Sequence, residues 1–363
     1  MKIIKSILIV IIFFCPFFNA LAANDNLFEA EIIRILNQKE ISYEGEKYIQ
    51  QDLILKGLKG ERENLEYQFN GIGDLVVFKS DVYEISDQVL LLESYNNEGV
   101  PQYYIVDHLR TSSVYYLLAI FLLTIIVVGR WKGFRSIISL VLTFVVITKY
   151  LVPSLLLGAN PLLVTIIGSI AILVIIIYFT EGFRLLSHLA VISISVSLLI
   201  SIFLSWFFVE SAKLSGVFGE EIASLVEIGG VSFNFKGLLL AGIIIGLLGV
   251  LDDVVIAQIS TVEQIHKTNP NQKRFELFKS SYHVGVSHIS SMTNTLFLAY
   301  AGVSLPLLVL LASGESAFSG FSQFINNEQI ATEIVRTLAG SVGLILSVPL
   351  STIIAVWWYK RND

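Results

Sequence analysis

The sequence predicts a polytopic α-helical membrane protein with about seven spans, one of them a broken helix, preceded by a small exported all-β domain. Three observations predict it. The 363 residues are 54% hydrophobic and 15% charged, with mean hydropathy +0.73, too apolar for an ordinary water-soluble globule. After Arg110 the apolar runs approach the roughly 20 residues that a helix needs to cross a bilayer. Between Asn24 and Arg110, in contrast, 17 acids stand against 8 lysines and arginines, and the apolar runs are short.

Residues 1–22 have the layout of a cleavable signal peptide: Lys2 and Lys5, an apolar run from Ile7 to Phe18, and the small-x-small ending Ala20-Leu21-Ala22. The single cysteine, Cys15, falls in that segment, so the mature chain is expected to carry no disulfide, cysteine metal site or thiol redox chemistry. Residues 23–110 form the expected exported domain. Stretches such as "QDLILKGL", "DLVVF", "QVLLLESY" and "QYYIVDHL" alternate over four to eight residues between Gly and Asn breaks, which favours a barrel or sandwich of about six strands. Its acidity argues against nucleic acid or an anionic lipid surface as partner and leaves a protein partner open.

Residues 111–363 form the expected membrane domain, with the lipid bilayer as its first partner. Apolar runs cover 114–129, 136–157, 161–179, 189–208 and 237–258; a broken run covers 284–313, interrupted by Gly302 and Pro306, and a last one covers 337–358. A single crossing of the broken run puts Arg130, Lys132, Arg135, Arg184, Lys267, Lys273, Arg274, Lys279, Lys360 and Arg361 on one side, which the positive-inside rule makes cytoplasmic. The C-terminus is then inside and the acidic domain outside, as the signal peptide requires. Pro349, in "SVPLSTIIA", marks a second place where a helix can kink.

The chemistry-bearing feature is "GVLDDVVIAQIS", where Asp252 and Asp253 sit within an apolar run. One aspartate near the centre of a lone helix costs roughly 2.5 to 3.5 kcal/mol even on mild insertion scales, so a buried carboxylate there needs a proton, a cation or a partner. Helical spacing aligns Asp253 with Gly242, Gly246 and Gly249, a small-residue stripe expected to carry it into a helix interface. Asp252 lies about 100° round the helix, so the two acids are expected to point apart. In the next run, His288, Ser291 and Thr295 share a face, with Asn294 beside them. The expected site is a cluster of Asp252 or Asp253 with Gln258, His288, Asn294 and Thr295. Its expected occupant is a cation or proton. Membrane Ser and Thr also serve simply to tie helices together, the plainer role for Ser291 and Thr295. Glu181 and Arg184 are one turn apart and read as an anchor pair at a span end.

The stretches "GLLGVLDDVVIAQISTVEQI", "HVGVSHISSMTNTLFLAYAGVSLPLLVLL" and "EIVRTLAGSVGLILSVPLST" resemble the YibE/F-like bacterial membrane proteins. The resemblance implies a plasma-membrane protein with an extracytoplasmic N-terminal domain and a multi-pass C-terminal part, and brings no settled activity. Its motif positions here are Asp252, Asp253, Gln258, Ser260, His288, Asn294 and Thr295. Ser287 stands where the resemblance implies an acid before the histidine, which counts against a metal site built on that carboxylate.

An ion-coupled secondary transporter or permease accounts for these features. No G-x-x-x-x-G-K-[ST] loop occurs, so a transporter of this kind would draw on an ion gradient, and no cofactor is implied. The alternative is a non-transporting assembly or envelope-maintenance factor that works through the exported domain. Enzymatic readings fare worse. An aspartyl protease needs two facing carboxylates, normally from different helices, and no H-E-x-x-H zinc motif is present.

Overall fold

The computed structural model describes residues 26–43, 46–72, 77–78, 82–96, 98–217, 234–313 and 320–361. The signal peptide expected over residues 1–22 lies outside them. The chain divides into two compact units, Met1–Gly129 and Arg130–Asp363.

Among its described residues the first unit holds one antiparallel sheet of six strands: β1 (Leu27–Tyr43), β2 (Glu46–Gly57), β3 (Glu66–Asn70), β4 (Val77–Phe78), β5 (Gln88–Tyr95) and β6 (Pro101–His108). The strand order is β3-β2-β1-β5-β6, with β4 also paired to β2. The long β1 pairs with β2 along its length and with β5 over Leu27–Glu31, and its register against β2 shifts between Ile32 and Arg34 and between Ile35 and Asn37. Such irregularities bend a strand and increase its twist. The two ends of the sheet curl together until Tyr67 of β3 and Tyr103 of β6 meet at 4.9 Å, with Phe28 4.8 Å from Tyr67. Alternate residues Ile32, Leu53, Leu55, Val89 and Leu91 are fully buried inside the curl, the placement that period-two patterning anticipates. Arg62 lies over the Phe28 ring at 4.2 Å and reaches Glu93 at 2.7 Å.

Two residues after β6 begins α1 (Thr111–Val146), which runs through a wide turn at Ile147–Leu151 into α2 (Val152–Leu156). Together they cover 46 residues, more than twice the roughly 20 that one crossing needs. Arg130, with φ 51° and ψ −127°, breaks the run in the gap between the first two predicted spans. A non-glycine residue with positive φ is strained, so this is a defined interruption and not a gentle curve.

The second unit continues with α3 (Pro161–Glu181), α4 (Leu185–Ser211), α5 (Phe235–Thr268), α6 (Arg274–Val303), α7 (Leu305–Ala312), α8 (Phe321–Ile325) and α9 (Glu328–Tyr359). The Asn160 side chain caps α3 by accepting from the Leu162 and Leu163 amides, and Pro161 occupies the first turn, where no amide partner is needed. Gly182, at φ 80°, turns the chain toward α4. Among the described residues five helical stretches are long and apolar enough to cross a membrane: Thr111–Leu156, α3, α4, α5 and α9. The first contains two of the predicted spans. The sixth predicted span, as α6, is diluted by His, Ser, Thr and Asn and falls outside the five. The run from 284 to 313 breaks at Ser304, between α6 and α7, whereas α9 continues as one helix past Pro349.

Small residues set the packing. Ser193, Ser197, Ser201 and Ser205 repeat every fourth residue along α4 and are all buried. A Cβ at Gly343 of α9 would overlap the Ser201 hydroxyl, so α4 and α9 approach at a distance only glycine permits. The Ser197 and Ser201 hydroxyls donate to the carbonyls one turn back, at 2.9 Å each, which satisfies them without a partner helix. Apolar side chains fill the rest, with Leu173, Ile194, Leu251, Val255 and Leu344 fully buried in one cluster.

Candidate functional site

Asp252 and Asp253 lie near the middle of α5, and both line the same cavity, of about 630 Å³. Adjacent positions diverge by about 100° round the helix, and Asp252 is buried while Asp253 is exposed, yet both border this one space. The cavity is wide enough to receive neighbouring positions of the helix at once. Its wall comes from α1 (Lys132, Ser136), α3 (Thr180, Glu181), Arg184 in the turn before α4, and a face of α5 running from Asp252 through Ser260 to Lys267. That face is about 22 Å long, from mid-helix to the helix end.

The cations around the cavity are already matched. Glu181 takes Lys132 at 3.2 Å and Arg184 at 2.5 Å, and Glu263 takes Lys267 at 2.6 Å. The Glu181–Arg184 pair expected from spacing is therefore present, but as part of a cavity wall to which Lys132 also belongs. Asp252 is 9% exposed, and its Oδ1 accepts the Asp253 amide, at 3.0 Å. Asp253 is exposed to the cavity. Among the described residues no lysine or arginine forms an ion pair with either.

The other expected members are elsewhere. Gln258 is 2% exposed and donates to the Ser281 carbonyl at 3.0 Å and the Thr352 hydroxyl at 2.7 Å, tying α5 to α6 and α9. Gly285 makes room for it, since a Cβ there would stand 2.6 Å from Gln258 Oε1. His288, Asn294 and Thr295 are exposed and do not line the cavity, so the expected single cluster is not assembled. The reason is the face that α6 turns inward: Leu277, Ser281, Gly285 and Leu296 are buried, with Ile289 and Met292 packed against the core. Thr295 spends its hydroxyl on the Ser291 carbonyl, at 3.0 Å.

The glycine stripe also differs from expectation. Among the described residues nothing lies within 4 Å of a Cβ built at Gly242 or Gly249, and only the Tyr300 hydroxyl, at 3.0 Å, approaches Gly246. Among the described residues the stripe is met only at Gly246, by Tyr300 of α6. Among the described residues, no three of His, Cys, Asp and Glu are grouped to hold a metal ion.

Sequence reasoning missed Glu263 and Lys267 as cavity residues, although their four-residue spacing was a signal. It also missed a second membrane-helix ion pair. In α9, Glu333 meets Arg336 at 2.9 Å, and the guanidinium lies 6.0 Å from the Tyr300 ring centre.

A family model described as YibE/F-like protein matches residues 117–361. No curated protein and no solved structure matches the chain.

Proposed function

The chain belongs to the YibE/F-like family, and from that premise we propose an ion-coupled secondary transporter or permease of the bacterial plasma membrane. In this reading Asp252 and Asp253 take up and release a proton or cation. The observation that carries it is a pair of carboxylates that, among the described residues, has no cation partner, at one end of a cavity whose own cations are already bound to Glu181 and Glu263. An unmatched acid inside a membrane helix is costly, and binding a mobile positive charge is what offsets that cost. The wall residues Lys132, Arg184 and Lys267 belong to the end that the positive-inside rule assigns to the cytoplasm, so the cavity opens inward. The membrane part then crosses seven times: α1 contributes two spans on either side of Arg130, α6 with α7 forms the broken one, the N-terminal sheet lies outside and the C-terminus inside.

The test is flux in proteoliposomes, with and without a pH gradient, across a panel of cations and small solutes. Asp253→Asn should abolish gradient-dependent flux, by at least about 100-fold, at unchanged protein level, whereas the exposed Thr295→Val should be tolerated. Equal loss of protein from the membrane in both variants would remove the functional role of the acids.

One observation favours the second reading, an assembly or envelope-maintenance factor without transport. Tyr95, Val100, Tyr104 and Val106 expose apolar surface on β6 and its neighbourhood, the kind of patch that protein partners cover. Activity that survives Asp252→Asn with Asp253→Asn but fails when Tyr104 and Val106 become Ser would favour that reading over transport.

A further inference from the structure

The packing of α6 on α5 and α9 leaves one face of α6 open, and the open face is the more polar of the two. Inward, Leu277, Ser281, Gly285 and Leu296 are buried. Outward, Ser287, Ser290, Ser291 and Asn294 are exposed, and among the described residues none of their side chains makes a hydrogen bond. At about 100° per residue these four share one sector of the helix about 100° wide. Their depth is set by what α6 packs on. The Ser281 carbonyl takes Gln258 of α5 at 3.0 Å, a Cβ at Gly285 would stand 2.5 Å from Val348 of α9, and a Cβ at Gly246 would stand 3.0 Å from the Tyr300 hydroxyl. The stretch from Ser281 to Tyr300 therefore runs beside Gln258 back to Gly246, within a helix apolar enough to cross a membrane. Lipid tails offer serine and asparagine neither donor nor acceptor, so a polar face open at that depth is an unmet demand. The apolar run of the first unit, residues 117–128, could not meet it: its one polar side chain is Thr124, whose hydroxyl is already on the Ile120 carbonyl at 2.8 Å.

We propose that a second copy of this chain covers the face, α6 against α6. The argument is self-complementarity. Two copies inserted the same way round are related by a twofold axis along the membrane normal, so each residue of the face meets its own counterpart at equal depth. A serine hydroxyl and an asparagine amide each donate and accept, so like pairs with like, which a face of carboxylates could not do. Ser287 and Ser291, four residues apart, are small enough to let the two helices approach closely, and Asn294 supplies an amide to bond across the axis. The inference needs only a membrane around the second unit and is independent of the transport reading.

The experiment is oxidative cross-linking of the full chain in native membranes, in a Cys15→Ser background that removes the single cysteine. Ser287→Cys and Ser291→Cys should each give a disulfide-linked dimer, which needs Cα atoms within about 7 Å. Leu199→Cys, 60% exposed on α4, should not. Energy transfer between donor- and acceptor-labelled copies, followed as added lipid dilutes the protein, should show dimer affinity about tenfold lower for Asn294→Leu and near wild type for Asn294→Gln. Equal cross-linking at Leu199 would mean random collision, and a monomer at every dilution would mean that no copies pair; either overturns the proposal. So would a cross-link from Ser287→Cys to a different polypeptide. Modification of that cysteine by a membrane-impermeant thiol reagent, with no dimer formed, would also overturn it and make the face the wall of an aqueous path.

Discussion

Asp252 and Glu333 are both carboxylates set in long apolar helices, yet they are housed in different ways. Glu333 has its cation one turn along the same helix, and a cavity beside it is walled by aromatic and aliphatic side chains. Asp252 and Asp253 have no such cation, and their cavity is walled largely by other charged and hydroxylated groups. A pair such as Glu333–Arg336 accounts for its own charge and can exist for structural reasons alone. The aspartates do not, since among the described residues no lysine or arginine forms an ion pair with them. The difference separates a charge that the fold has compensated from one that it leaves available.

The sharpest way to test that difference is to remove one partner from the compensated pair. Arg336→Leu leaves Glu333 unmatched and should cost about 3 kcal/mol, whereas Arg336→Leu with Glu333→Leu should be close to wild type. Thermal unfolding of the full chain in nanodiscs reads both; equal losses in the single and double variants would show that the pair is not the stabilising unit. The aspartates should respond in the opposite sense, Asp253→Asn leaving the melting temperature unchanged or raised, and a large drop would place Asp253 among the structural charges. A smaller effect is expected at the α4–α9 contact, away from both acids. Gly343→Ala forces a methyl group into the Ser201 hydroxyl and should cost about 1 to 3 kcal/mol, recovered in part by Ser201→Gly. If the alanine variant melts with wild type, the helices are not in close contact there.

The smallest effect concerns the sheet. Burial raises the hydroxyl pKa of Tyr67 and of Tyr103 above the usual 10.0, because the neutral ring is favoured where the sheet closes. Each group keeps its proton more firmly folded than unfolded, so the stability it contributes is whole below pH 10 and declines as pH rises through the folded value. Replacing both with Phe should flatten that alkaline decline when melts at pH 9 and pH 11 are compared, and an unchanged slope would mean that other groups govern it.

Much of the architecture was legible in the chain. The runs 161–179, 189–208 and 237–258 fall within α3, α4 and α5, and the break anticipated at Gly302 and Pro306 is found at Ser304. Hydropathy and helix breakers act locally, so a window of residues reports them. The site was legible only at its centre. Asp252 and Asp253 announce themselves by cost, but His288 and Thr295 were placed wrongly because α6 has two mixed faces. Periodicity says that His288, Ser291 and Thr295 share one of them without saying which face packs inward. That choice is made by Leu277, Ser281 and Gly285 against α5 and α9, a contact between segments far apart in sequence. Likewise, only the assembled helices bring Lys132 and Lys267 to one cavity.

The junction between the sheet and the first helix sets the reach of the sheet. Between His108 and Thr111 there are only Leu109 and Arg110, a leash of about 7 Å at full extension. Flexible linkers let a tethered module search a wide volume at a low effective concentration, but one this short permits no search at all. Anything bound to the sheet would therefore stay within one domain's width of the first residues of α1.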